Sequence, residues 1–403
     1  MKVLLVSAFP PSKHNINGPS ALPYYLAAQR HPEIDIDLIN FVQPNANELV
    51  TADLKKVFAN IINVPKTPKH IYYPVRALQK TGIVKATSGI YFDYLPNRKV
   101  LKQINESNYD LIWIYPHTLY PWYKRLSHLN VVMTGPDCSL LHLKLVKKIF
   151  SKSKSNKFSI NIDKRISEAN FYEKRWSLSK ALIHTVGKDD LDQYIELGAA
   201  NHSFFSNHPY SSYKPSLEPI VNASGKLKIV VSGVNNSVYI GDLWNRIVDK
   251  LVENRELNHH YEFIFIGKDF EDGEQKLIAA GYNTSLSTWV ESYEDRIAQA
   301  HIQLFPIILG TGTKGKVLSA LATGLLCIGT AFALENILID PNDDAILFGS
   351  EQEAINALYD IAGHKSKYNA MAHAASVKVR DMHSSQNTAK EFWDYITKFF
   401  NIG

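Results

Sequence analysis

The hydrophobic positions of this chain fall mostly in short unbroken runs, each closed by a loop of Gly, Pro, Asn or Ser. Lys2 to Ser7, KVLLVS, is such a run, as a parallel strand covered on both faces requires. The loop AFPPSKHNINGPS follows it, then a helix from about Ser20 to Arg30. IDIDLINF is a second, alternating strand. YDLIWIYP (109–116) and LNVVMTGPD (129–137) are further strands that end in polar loops. KALIHTVGKDDLDQYIELG reads as strand, turn and helix, and HSFFSNHPY closes the first half. Residues 211–225, SSYKPSLEPIVNASG, show no periodicity and read as an interdomain linker. The alternation then resumes. LKIVVSGVNN, YEFIFIGKDF, LSTWVE, HIQLFPII, LLCIGTAF and DAILFGS are the strands; GDLWNRIVDKLVEN, EQKLIAAGY and YEDRIAQA are the helices, and more helices finish the chain. Strands alternating with helices twice over predict an α/β protein of two doubly wound, Rossmann-like domains, 1–210 and 226–385, with 386–403 as a last helix.

Length agrees with that division, because 403 residues exceed one ordinary core. A 45% hydrophobic and 21% charged composition is that of a soluble globular protein. The net charge of +5 favours anionic partners without implying nucleic acid, and no basic, aromatic-interleaved surface motif argues for one. Cys138 and Cys327 stand far apart in apolar settings and read as buried free thiols, which suits a reducing cytosol. The start, MKVLLVSAF, is too short an apolar run for a signal peptide, and no stretch reaches transmembrane length.

In doubly wound sheets ligands sit beyond the carboxyl ends of the strands, so the loops that follow strands carry the candidate chemistry. They are Asn15–Ser20, Pro116–Leu119 and Gly135–Ser139 in the first half. In the second half they are Ser232–Ser237, Gly267–Phe270, Val290–Tyr293 and Leu309–Lys316. The last is the most informative. Gly310 and Gly312 let backbone approach a ligand, Thr311 and Thr313 supply hydroxyls or a helix cap, and Lys314 and Lys316 add charge where a helix begins. Free N–H groups and a partial positive charge at that helix entrance suit an anion, and a diphosphate is the expected guest. The competing reading is a glycine-rich turn with solvated lysines. Neither a Walker loop nor the dinucleotide glycine fingerprint is present.

The segment HIQLFPIILGTGTKGKVLSALATGLLCIGTAFALENI resembles the donor-binding signature of GT-B glycosyltransferases of the GT4-like, group 1 type. KIVVSGVNN, FIFIGKD, NTSLSTWVESYEDRIAQAHIQLFP, HSFFSNHPY and MKVLLVSAFPP…NGPS resemble that family's other segments in order. The resemblance implies a GT-B fold, with two Rossmann-like domains facing across a cleft. It also implies a nucleotide-sugar donor in the second domain, an acceptor on the first, and no metal, since helix dipole and basic side chains neutralise the leaving diphosphate. The final helix would cross back onto the first domain. Gly18 would approach the diphosphate beside Asn17 and Pro19. Ser232, Gly233, Asn235 and Lys268 would line the donor site, with Glu291 or Glu335 on the nucleobase or ribose.

The chain departs from the family where paired glutamates are common. Matching the helix puts Thr311 and Ser319 at those positions, and Ser319 keeps only a hydroxyl for a ribose. The family's Arg and Lys after the first strand of the second domain are also missing, so Lys268 is the candidate for part of that charge. In the first domain His117, after WIYP, is a candidate contact for donor sugar or acceptor, against a structural histidine. Asp137 in TGPDCS is a candidate general base if burial raises its pKa, against a turn or cap aspartate. Residues 141–158, LHLKLVKKIFSKSKSNKF, would form a basic, apolar-striped helix able to dock on an anionic bilayer, against an ordinary amphipathic helix running into a solvated loop.

The expected activity is therefore cytoplasmic glycosyl transfer, at the inner face of the membrane, from a UDP- or GDP-sugar to a saccharide or lipid-linked saccharide in bacterial surface polysaccharide synthesis. His117, Asp137 and Lys316 are the expected catalytic residues, and no cofactor beyond the donor is expected. The rivals are a GT-B epimerase or phosphorylase and a catalytically inactive sugar-nucleotide-binding subunit.

Overall fold

The computed structural model describes the chain apart from residues 14–19, 42–47, 65–66, 82–94, 96–97, 127–129, 151–160, 211, 236–238 and 403, and of 48–51, 53, 79 and 80 it describes the backbone alone. Gly18, Asn17, Pro19, Asn236 and Ser237 thus lie outside the described residues, as does the 151–158 part of the basic stretch. The chain divides into two units, Met1–Ser211 with Ser385–Gly403, and Ser212–Ser384.

In the first unit β1 (Lys2–Ser7), β2 (Asp35–Phe41), β3 (Ile61–Val64), β4 (Leu111–Tyr115), β5 (Val131–Thr134), β6 (Leu182–Thr185) and β7 (Ser203–Phe205) form a parallel sheet in the order β3-β2-β1-β4-β5-β6-β7. Val3 and Leu5 point into one core, Leu4 and Val6 into another, and all four are fully buried. That is why β1 reads as an unbroken apolar run rather than an alternating one. The helix Ser385–Phe400 supplies part of the first core. Phe392 and Trp393 pack on Trp113 with ring centroids 4.9 and 5.8 Å away, and the Trp393 indole N–H donates to the Leu26 carbonyl at 2.8 Å. β3 escapes the sequence pattern because it is four residues long, half-exposed and at the sheet edge.

In the second unit β8 (Leu227–Val234), β9 (Tyr261–Lys268), β10 (Asn283–Ser287), β11 (Ile302–Phe305), β12 (Leu326–Gly329) and β13 (Ile346–Leu347) form a parallel sheet in the order β10-β9-β8-β11-β12-β13. Leu227, Ile229 and Val231 face one core with Trp244, Phe263 and Phe265. The strand expected over LSTWVE starts earlier. Asn283 to Ser287 pair in register with Glu262 to Ile266, so sheet pairing and not local hydrophobicity sets its place. Residues 212–225, read as a linker, lie within the second unit. Ile220 is buried in its core, and Ser216 and Leu217 donate backbone hydrogen bonds to Thr323 and Ala298.

Strand order reverses direction between β1 and β4 in one sheet and between β8 and β11 in the other. At such a switch point the flanking connections leave to opposite faces and a crevice opens outside the carboxyl ends.

Candidate functional site

The second unit builds its switch point from the ends of β8 and β11. Gly233 on β8 and Gly267 on β9 are register partners, with φ of 143° and 135°. A Cβ on Gly267 would lie 1.8 Å from the Gly233 carbonyl oxygen, so only glycine permits this approach. The crossing is tied by the Asn235 amide donating to the Lys268 carbonyl at 3.0 Å. Asn235 is buried; its side-chain amide donates to Asn245 at 3.2 Å and its Oδ1 has no hydrogen-bond partner. Lys268 itself is exposed.

Beside them three polar side chains close a triangle. The Ser232 and Tyr293 hydroxyls are 3.0 Å apart, and the Gln303 amide donates to Ser232 at 3.0 Å and to Tyr293 at 2.6 Å. Gln303 is fully buried in β11 and its Oε1 is unpartnered. Burial pushes the Tyr293 hydroxyl up to about 12, so it stays a neutral donor. The Lys316 ammonium stands 5.5 Å from the centroid of the Tyr293 ring, a cation–π contact. Protein around that ammonium lowers its pKa, yet the residue is exposed, and its open surface is what a ligand would meet.

The glycine loop has the backbone expected of it, with Gly312 at φ 65° and the helix running from Gly315 to Thr323. Its charges are arranged differently from the expectation. Neither threonine caps the helix; the N-cap position is Lys314, without a side-chain cap. The Lys314 ammonium does not face outward. It donates to the Gly312 and Thr311 carbonyls at 2.8 and 3.4 Å and pairs with Glu335 at 3.1 Å, both side chains being largely buried. Glu335 is brought there by Thr330, whose hydroxyl caps the helix Ala331–Leu334 and also donates to the Ile307 carbonyl. Lys314 and Glu335 therefore neutralise each other inside the loop, and of the two lysines Lys316 is the exposed one. A Cβ on Gly310 would meet the Lys314 Cε at 2.9 Å. Ser319 is buried in the helix, and Thr313 is half-buried beside Thr311. Glu291 is exposed in the loop after β10. Next to it Trp289, 77% exposed, is an aromatic face that the sequence reading passed over, having placed it inside a strand. Tyr293 ends the candidate loop Val290–Tyr293 and Gln303 lies inside a strand, and only the fold brings the two to Ser232.

In the first unit the two candidates differ from expectation. His117 follows β4 but is buried, edge-to-face on Trp176 with centroids 4.1 Å apart and 3.4 Å from the Tyr194 hydroxyl. Burial lowers its pKa to about 3, so it is neutral, and its Nδ1 has no hydrogen-bond partner. Asp137 is exposed, so the burial that was to raise its pKa is absent. Buried carboxylates do stand beside this loop, Glu173 and Asp190, which the sequence did not single out. Glu173 accepts from the Ser139 amide at 2.7 Å and from the Cys138 thiol at 2.6 Å, and Asp190 accepts from the Cys138 amide at 2.7 Å. Burial raises Glu173 to about 7. Cys138 and Cys327 are buried free thiols.

In the basic stretch the helix Ser139–Phe150 turns Leu140, Leu143 and Val146 into the core. Lys144 bonds Gln193 at 2.6 Å and Lys147 pairs with Asp163 at 2.6 Å. Its apolar stripe is thus spent on the protein's own core. Among the described residues no group of three His, Cys, Asp or Glu side chains is placed to hold a metal ion, and no helix is long and apolar enough to cross a membrane.

Residues 235–363 match the family described as glycosyl transferases group 1. A search of curated proteins found no matching relative. Among solved structures the chain is similar to HepE of Anabaena in complex with UDP, at 13% identity over 99% of this chain and 100% of that one, with a TM-score of 0.64. It is similar to sucrose-phosphate synthase of Thermosynechococcus elongatus, at 12% identity over 100% and 99% of the two chains and a TM-score of 0.62. A glycosyltransferase of Rickettsia africae aligns at 10% identity over 100% and 99%, with a TM-score of 0.63. Likeness at these identities is likeness of fold.

Proposed function

From a GT-B fold whose second unit carries a group 1 glycosyltransferase domain, we propose that this protein transfers a sugar from a nucleotide-sugar donor to a saccharide or lipid-linked saccharide acceptor, as in surface polysaccharide assembly. The observation that carries the reading is the exposed Lys316 ammonium over Tyr293, at the entrance of the helix Gly315–Thr323 beside the Gly310–Gly312 backbone. Cation and helix N-terminus together favour the charge that develops on a departing diphosphate.

In this reading UDP is the nucleoside diphosphate, as in the complex that HepE forms. Trp289 and Glu291 offer a stacking face and an acceptor for base or ribose. Ser232 and Tyr293 offer hydroxyls toward the sugar phosphate, and Lys268 a second cation. Glu335 acts through Lys314 rather than on the nucleotide. The acceptor is assigned to the loops after β4 and β5, where exposed Asp137 can take a hydroxyl proton and neutral His117 supports the backbone around it. Lys316 and the helix entrance do the work a metal would otherwise do, so transfer should persist in a chelator. The protein works in the cytoplasm.

Titration with UDP, GDP and inorganic phosphate, followed by turnover of a panel of sugar nucleotides, tests the reading. UDP or GDP binding with donor turnover supports it. Phosphate binding with reversible phosphorolysis would replace it with a phosphorylase. A second reading, a non-catalytic sugar-nucleotide-binding subunit, is favoured by the hydroxyls at Thr311 and Ser319 where the family carries carboxylates. Nucleotide binding without turnover of any donor would select it.

A further inference from the structure

A second concavity lies on the opposite half of the β8–β10 sheet, away from the glycine loop. Lys228 on β8, Glu262 on β9 and Asn283 on β10 are register partners and form one polar row across three strands. They face away from the core that takes Leu227, Ile229, Tyr261 and Phe263. Ile264 and Ser285 form the next row. Arg296, from the helix Tyr293–Ile297, closes a cavity of about 270 Å³ over them.

Its guanidinium is already aimed. One Nη donates to the Ser285 hydroxyl at 2.9 Å and the other to the Gln299 side chain at 2.8 Å. Lys228, Glu262 and Arg296 are all half-buried. Among the described residues none of the three makes an ion pair, although Lys228 and Glu262 stand directly opposite one another. Both faces of a doubly wound sheet are ordinarily aliphatic, yet among the described residues Lys228 and Glu262 are half-buried here without an ion pair, and the Arg296 guanidinium has only neutral hydrogen-bond partners.

We infer that this cavity binds a small hydroxylated oxyanion, a polyol phosphate or hydroxy acid, at a site separate from the nucleotide loop. Arg296 and Lys228 take the oxyanion, the guanidinium with its fixed fork. Glu262 accepts only, and so requires a ligand hydroxyl. The volume, about 270 Å³, lies just under the range of drug-sized pockets and suits a small ligand. Lys228 is four residues before Ser232 on the same strand, about 13 Å at the rise of a β-strand, so a ligand here leaves the carboxyl-end loops open. The inference does not rest on glycosyl transfer.

Isothermal titration of the full chain with glycerol 3-phosphate, glycerate, inorganic phosphate and glycerol tests it. Glycerol 3-phosphate or glycerate should bind and glycerol should not; the arm that binds tighter tells a phosphate source from a carboxylate one. R296Q should weaken binding at least about tenfold, the loss of a charged hydrogen-bond partner, while K316A should leave it unchanged. E262A should erase the preference for glycerol 3-phosphate over inorganic phosphate, since the hydroxyl's acceptor is gone, and tighten inorganic phosphate, since a repelling charge is gone. Absence of heat with both oxyanions at millimolar concentration overturns the inference. So does binding that survives R296Q, binding that K316A abolishes, or an E262A protein that keeps the wild-type preference.

Discussion

The ammonium of Lys314 lies 3.1 Å from the carboxylate of Glu335 and is folded back onto the carbonyl of Gly312 at 2.8 Å. The glycine loop is therefore braced from within by an ion pair joining two segments, and its outward charge falls to Lys316, two residues on. Lys314→Ala removes the ammonium from which the largely buried Glu335 carboxylate and the Gly312 and Thr311 carbonyls accept, which costs about 1–3 kcal/mol. A fall in Tm is expected, and the double variant K314A/E335A should recover part of it. Equal losses in the single and double variants would show that the pair does not brace the loop.

Lys316→Ala removes an exposed charge, so stability should stay within about 0.5 kcal/mol of wild type. UDP affinity should fall at least about tenfold, as for loss of a hydrogen bond to a charged group. Titration at low and high salt checks both the loss and its electrostatic origin, because screening should shrink the difference. An unchanged affinity would move the nucleotide away from this helix entrance.

Gly267→Ala should fail to fold or lose most of the stability of the second unit. The new Cβ has no room beside the Gly233 carbonyl, and φ is positive. Gly225→Ala, with nothing within 4 Å of its Cβ, is the matched control and should unfold like wild type. Soluble expression and thermal melts of the two variants decide it.

Glu173 gives the first unit a pH signature. Burial raises its folded pKa to about 7 from 4.5, so the folded state holds a proton that the unfolded chain releases between those values. Its contribution is complete below pH 4.5 and is lost as pH rises through 7. The buried His117 and His184, both lowered to about 3 by burial, act in the other direction: the unfolded chain takes up protons near 6.5 that the folded state refuses. Their contribution is present above that pH and is lost as pH falls toward 3. Glu173→Gln removes the first component only. The stability of E173Q minus that of wild type should therefore increase with pH from 4.5 to 7, by at most about 1.4 kcal/mol per pH unit. A difference that stays level across that window would mean that Glu173 is ionised in the folded protein.

Much of this protein is local in the sequence. Strands buried over most of their length, such as β1 and β4, announce themselves as apolar runs, because a strand covered on both faces needs apolar side chains on both. The loop from Leu309 to Lys316 is equally visible, since glycines, hydroxyls and lysines at a helix entrance are neighbours in the chain. What the sequence could not decide is where side chains end up relative to residues far along the chain. Glu335 reaches Lys314 over 21 residues, Glu173 reaches Cys138 over 35, and Gln303 reaches Ser232 over 71. His117 reads as a loop histidine until Trp176 and Tyr194 bury it, and Asp137 reads as a buried base until the fold leaves it exposed. Periodicity reports only which face of an element avoids water. Which charge meets which, and which stays open to a ligand, follows from strand order and register, and those are settled by packing across the whole sheet.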